Sequence, residues 1–205
     1  MPRSARIRTS DVEPPAFNVT YVIQRQRFGL ILSLLPNRRF SRLLEIGYGS
    51  GIFLPELAQR CDELYGIDIH PHAARVLRNL RRHRVDAELL CGSASALPFN
   101  TGTFDCIVAV SCLEYMDSLD CVAREIKRVL RSDGSFVFVT PGNSFVIDLV
   151  AQITNGRSVR KHYGERRDSL IPTLKKSFVV QRELTIPRTG RSLFTAYRGM
   201  RLGVY

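Results

Sequence analysis

The stretch LLEIGYGSGIFL, residues 43–54, sets three glycines at alternate positions directly after an apolar run. Glycine enters left-handed backbone conformations without steric cost. Three of them within five residues therefore mark a tight turn whose backbone something else can approach closely. The run before it, Arg42 to Ile46, reads as a short buried strand. Ile52 to Arg60 reads as a helix with Phe53, Leu54, Leu57 and Ala58 on one side. A strand feeding a helix through such a turn is the first half of a βαβ unit.

The same alternation continues down the chain. ELYGID is a second strand ending at Asp68, and Pro71 opens the next helix, as prolines do at first-turn positions. That helix has Ala74, Leu77 and Leu80 on one face and Arg75, Arg78, Arg81 and Arg82 elsewhere. AELLC is a third strand, followed by GSASALPF. FDCIVAV is almost wholly apolar, which places it centrally in a parallel sheet covered on both faces. Leu119, Val122, Ile126, Val129 and Leu130 mark an amphipathic helix, expected to stop at Asp133-Gly134, and SFVFVT is the fifth strand. Strand and helix alternating through short turns predict an α/β, doubly wound, Rossmann-like domain.

Ligands of such sheets bind outside the carboxyl ends of the strands. The turn at Gly47, Tyr48, Gly49 and Gly51 lies on that edge, with Asp68 and the segments after strands three and four. Asp68 follows Gly47 at about the distance where an acid meets a ribose hydroxyl in nucleotide-binding units. A dinucleotide fingerprint needs glycine at position 52, which is Ile52. Glu45 just before the turn repels a pyrophosphate and suits a cation. S-adenosylmethionine carries a sulfonium and an ammonium group and no phosphate, so charge favours it as the cofactor.

The runs LLEIGYGSG, YGIDIH, GSASALPFNTGTFDCIVAVSCLEYM and EIKRVLRSDGSFVFVTP resemble the class I S-adenosylmethionine-dependent methyltransferases, in the branch of ubiquinone and menaquinone C-methyltransferases and small-molecule methyltransferases. The resemblance covers roughly residues 20 to 142. It implies a seven-stranded sheet in order 3-2-1-4-5-7-6 with strand 7 antiparallel, the last two strands coming from KKSFVVQRELTIP and RSLFTAYRG. By position, Glu45, Gly47, Tyr48, Gly49 and Gly51 match the motif that cradles the methionine moiety. Asp68 matches the acid on the ribose hydroxyls, and Ile69 flanks the adenine. Ser93 and Ala94 fall where relatives carry Asp-Ala beside the adenine amino group. Ser111, Cys112 and Leu113 match the segment under the cofactor. Tyr115 stands where relatives often have histidine, so that histidine's role as a base does not carry over.

Residues 1–19 read as a flexible tail and 20–205 as one methyltransferase domain. Within it, 20–42 form a helical cover, 43–142 the cofactor core, 143–177 an acceptor-side cover and 178–205 the last two strands. Charge divides along these lines. Residues 1–42 hold eight arginines against two acids, residues 43–140 ten basic against thirteen acidic, and residues 141–205 twelve against four. The basic flanks, with Arg25, Arg27, Arg157, Arg160, Lys161, Arg166 and Arg167, predict a positive acceptor mouth or an ordinary solvated surface. They also leave RNA or protein as an alternative substrate, against a small molecule as the leading one, and a non-catalytic cofactor-binding relative as a third reading.

His162 and Tyr163, in the acceptor-side segment, join Tyr115 as candidates for acceptor contact or proton handling. His70 and His72 read as the start of a surface helix, and His83 as solvated. Five cysteines without a CxxC pair predict reduced thiols, no metal site and, with no apolar leader, a cytoplasmic protein.

Overall fold

The computed structural model describes residues 18–142, 159–187 and 195–204. In chain order the elements are α1 (Asn18–Leu34), β1 (Phe40–Ile46), α2 (Leu54–Ala58), β2 (Cys61–Asp68), α3 (Ala73–Arg82) and β3 (Glu88–Cys91). There follow β4 (Phe104–Val110), a single 3-10 turn (Leu113–Tyr115), α4 (Leu119–Val129) and β5 (Leu130–Pro141). The last elements are α5 (Val159–Ser177), β6 (Phe178–Ile186) and β7 (Tyr197–Val204).

The seven strands form one sheet in the order β3-β2-β1-β4-β5-β7-β6, as the resemblance implies. Strands β1 to β5 pair in parallel, and β7 runs antiparallel to both β5 and β6. Every residue of β4 is buried, because β1 and β5 flank it and helices cover both faces. On one face Ile126 of α4 and Leu170 and Leu174 of α5 join a cluster with Phe136 and Phe138. On the other, Ile31 and Leu34 of α1, Leu57 of α2 and Val76 and Leu80 of α3 join one with Leu43, Val108 and Val137.

Three local expectations are corrected. The helix expected from Ile52 to Arg60 is shorter, Leu54–Ala58, with Pro55 in its first turn. The next helix begins at Ala73, two residues beyond Pro71. The helix after β4 ends at Val129, before Asp133-Gly134. Buried Leu130 is already extended and pairs with Phe104, and the intervening residues bulge out before Ser135 resumes the ladder opposite Cys106.

The last strand lies further on than RSLFTAYRG, at Tyr197–Val204. Gly199 and Gly203 disguise it in sequence, since glycine weakens the strand pattern. Gly199 is needed because a Cβ there would stand 2.7 Å from Leu34 Cδ1, where α1 crosses the sheet. None of the described helices is long and apolar enough to cross a membrane.

Candidate functional site

A cleft of about 220 Å³ opens at the carboxyl edge of the sheet. Ile46 and Gly47 come from the end of β1, and Ile67, Asp68 and Ile69 from the end of β2. Gly92 and Ala94 follow β3, and Cys112, Tyr115 and Met116 follow β4. Sequence reasoning anticipated Gly47, Asp68, Ile69, Ala94, Cys112 and Tyr115. It passed over Ile46, Ile67, Gly92 and Met116, whose apolar character carries no chemical signal. A larger groove, about 460 Å³, lies at the opposite, amino end of β2 and β3 around Arg81 and Glu88, away from these motifs.

The three glycines of the turn all have left-handed φ, +72° at Gly47, +52° at Gly49 and +78° at Gly51. Two also answer to crowding. A Cβ on Gly47 would lie 2.7 Å from Cys112 Cβ, and one on Gly51 2.5 Å from Val76 Cγ1. A Cβ on Gly49 meets nothing within 4 Å, so there the backbone angle alone selects glycine. The Gly47 amide donates to the Ile67 carbonyl at 2.8 Å, and the Cys112 thiol donates to the Ile46 carbonyl at 3.1 Å. The ends of β1, β2 and β4 are thus tied together beneath the turn.

Asp68 is fixed at the end of β2 by two backbone donors, the Gly49 amide at 2.8 Å and the His70 amide at 3.2 Å. His70, expected to be plain surface, holds the turn from the other side. Its Nε2 lies 2.7 Å from the Gly49 carbonyl, and its Nδ1 lies 3.2 Å from the His72 amide. Both contacts are met by the neutral ring with the proton on Nε2, a tautomer assigned from these partners.

Glu45 is wholly buried, and neither carboxylate oxygen has a hydrogen-bond partner. Burial, and secondarily the charge of Asp68, push its carboxyl up to about 8. A buried ionisable group without a partner is rare in a folded chain and points to a missing ligand. The residues after β4 belong to the same region. Ser111 has φ +49°, unusual for a residue with a side chain, and its buried hydroxyl is also without a hydrogen-bond partner. Tyr48 does not line the cleft. Its ring is buried among the α2 and α3 side chains, where burial raises the phenol to about 12.

The segment after β3 is clamped from α4. Glu125 accepts from the Leu97 amide at 2.7 Å, while Arg128 donates to the carbonyls of Phe99 at 2.7 Å and Leu97 at 2.9 Å. The hydrogen bond from Arg128 holds the Glu125 carboxyl below its ordinary value. This clamp brings Ala94 to the cleft. The Ser93 hydroxyl is engaged locally, 2.8 Å from Ser95 Oγ, and does not line the cleft. Leu113 is buried in the core. Tyr115 is 55% exposed and forms part of the cleft wall.

His162 and Tyr163 fall on α5, but their side chains lie outside the described residues, as do those of Arg160, Lys161 and Arg167; Arg157 lies outside them altogether. The described cations of the expected positive mouth are engaged within the fold. Arg25 pairs with Glu56 at 3.4 Å, Arg166 with Asp117 at 2.8 Å, and Arg27 lies 5.4 Å from the centre of the Tyr197 ring.

The sheet order and the glycine turn closed by an acid define a Rossmann-like domain built to hold an adenosine-containing ligand. Residues 44–138 match the family described as a methyltransferase domain. Fold, motifs and family match together make the core of the chain similar to the class I S-adenosylmethionine-dependent methyltransferases.

A malonyl-[acyl-carrier protein] O-methyltransferase of Geobacter sulfurreducens is 27% identical over 166 residues, which cover 76% of this chain and 62% of that one. The chain spans less than two thirds of the length of the first such relatives. Among solved structures, the geranyl diphosphate C-methyltransferase of Streptomyces coelicolor shares the fold at 16% identity, with a TM-score of 0.70 over 96% of this chain and 87% of that one. The N-methyltransferase NodS of Bradyrhizobium japonicum, solved with S-adenosyl-L-homocysteine, does so at 19% identity, with a TM-score of 0.65 over 92% and 89%.

Proposed function

We propose that this protein transfers a methyl group from S-adenosylmethionine to a small, anionic or lipid-like acceptor. The observation that carries this reading is Glu45, a buried carboxyl without a partner, beneath a glycine turn whose Gly49 amide donates to Asp68. The residues present fit the cofactor. Glu45 suits its cationic end, and the backbone at Gly47 and Gly49 lies open to the methionine portion. Asp68 suits the ribose hydroxyls, and exposed Ile69 with Ala94 suits the two sides of an adenine.

When bound, the cofactor supplies a methyl group already activated by the sulfonium. The protein's work is then to hold an acceptor atom ~3 Å from it and in line. An acceptor that arrives ionised needs no general base. Two of the similar proteins are named for anionic acceptors, a malonyl group and a diphosphate. On this reading the domain runs from 20 to 205, with 20–42 and 143–177 framing the acceptor.

Calorimetry with S-adenosylhomocysteine tests the cofactor site directly. Asp68→Ala should weaken binding by about 1.5–3 kcal/mol, the range for hydrogen bonds to a charged group, in a variant whose circular dichroism is unchanged. A parent protein that binds neither the cofactor nor its product would end the reading. Labelled methyl transfer into cell extract then identifies the acceptor class.

A further inference from the structure

The carboxyl edge of the sheet carries a second concavity, about 350 Å³, beside the cleft. Thr140 at the end of β5, Arg198 at the start of β7, and Asp168, Ile171 and Pro172 of α5 line it. It has room for on the order of ten water molecules. The Thr140 side chain is 2% exposed, and its hydroxyl oxygen has no hydrogen-bond partner. Thr140 and Arg198 are directly paired across β5 and β7, so both project to the face that α5 covers. Arg198 Nε lies 3.1 Å from a Glu183 oxygen, and its two terminal amino groups have no partner among the described residues.

We propose that this concavity anchors a carboxylate on the methyl acceptor, an inference that rests on the methyl-transfer reading above. Thr140 and Arg198, paired across the two strands and both lining this space, supply the donors for the two oxygens of a carboxylate once the buried Thr140 hydroxyl turns to meet it. One hydroxyl and one guanidinium match the two oxygens of a carboxylate and leave the third oxygen of a phosphate unmatched, which selects the carboxylate. Pro141, Ile171 and Pro172 supply apolar wall for the carbon chain behind it.

The two sites are joined through Ser111, whose amide donates to the Val139 carbonyl at 2.7 Å. With β4 between β1 and β5, Thr140 stands two strand spacings, about 10 Å, from the glycine turn. The acceptor is therefore bifunctional, with its carboxylate held to one side of the cleft and the atom that receives the methyl group within it.

Glutarate, with inorganic phosphate as the competitor, is the probe, followed by amide NMR titration of the full chain with and without S-adenosylhomocysteine. Saturable glutarate shifts centred on Thr140 and Arg198 are expected, with phosphate weaker. Arg198→Met should lower glutarate affinity about tenfold or more, and Thr140→Val severalfold. Thr140→Val should not lower the melting temperature, because its hydroxyl gives up no bond in the free protein.

Affinity for S-adenosylhomocysteine should stay within about twofold in both variants, as separate sites are additive. Glutarate shifts absent from the parent, indifferent to both variants, or outmatched by phosphate overturn the proposal while leaving the cofactor site standing. A parent that binds glutarate as described but no S-adenosylhomocysteine overturns the methyl-transfer reading instead.

Discussion

Replacing Glu45 with glutamine separates the two consequences of burying a carboxyl without a partner. In the free protein the group holds its proton up to about 8, against 4.5 for the unperturbed side chain. The folded state therefore binds one more proton than the unfolded state between those values. Stability is greatest below about 4.5, declines as the pH rises toward about 8 and is level beyond it. At about 1.4 kcal/mol for each pH unit, the span sets a ceiling on the order of 5 kcal/mol.

Glutamine has the same shape and no proton to lose. Near pH 5 the variant should match the parent within about 1 kcal/mol, because each buries a neutral polar group. By pH 9 it should be the more stable of the two by several kcal/mol. Urea unfolding of ligand-free parent and variant, followed by circular dichroism from pH 5 to pH 9, reads the difference directly. Titrations elsewhere in the chain cancel between the two proteins.

Saturating S-adenosylmethionine should flatten the parent's decline, since a cation beside the carboxyl draws off its proton. The same substitution should weaken the cofactor while strengthening the free fold at high pH. Parallel stability curves for parent and variant would show that Glu45 is already ionised in the free protein. The argument from a missing cation would then fail.

Gly47→Ala should destabilise the fold by at least about 1–2 kcal/mol, the cost of a side chain in the left-handed region, plus the contact with Cys112. Adding Cys112→Gly should recover part of the loss in urea unfolding, and strictly additive effects would remove that contact as the cause. His70→Ala should lower stability by about 1 kcal/mol through its lost bond to the Gly49 carbonyl. It should also weaken S-adenosylhomocysteine in calorimetry, because the Gly49 turn that donates to Asp68 then loses its tie to the His70 ring. Unchanged affinity in a folded variant would make His70 a bystander.

What the sequence disclosed divides by the range of the physics involved. Strand β4 and the glycine turn were legible because burial on both faces and backbone strain write themselves into adjacent residues. Glu45 was legible as an acid at a motif position, whereas its having no partner depends on everything packed around it. His70 escaped because a histidine after a strand looks like surface until the turn folds back over it. Its partner, Gly49, lies 21 residues earlier in the chain.

Ser93 shows a different limit. A serine at that motif position bonds to the serine two residues on, which a comparison of positions does not weigh. The last strand was misplaced for a related reason. Gly199 answers to buried Leu34 of α1, so a residue that makes the strand fit is one that hides it. Thr140 belongs with these cases. Within SFVFVT it reads as the last residue of a strand, and only the arrival of β7 and α5 beside it brings it to the wall of a concavity.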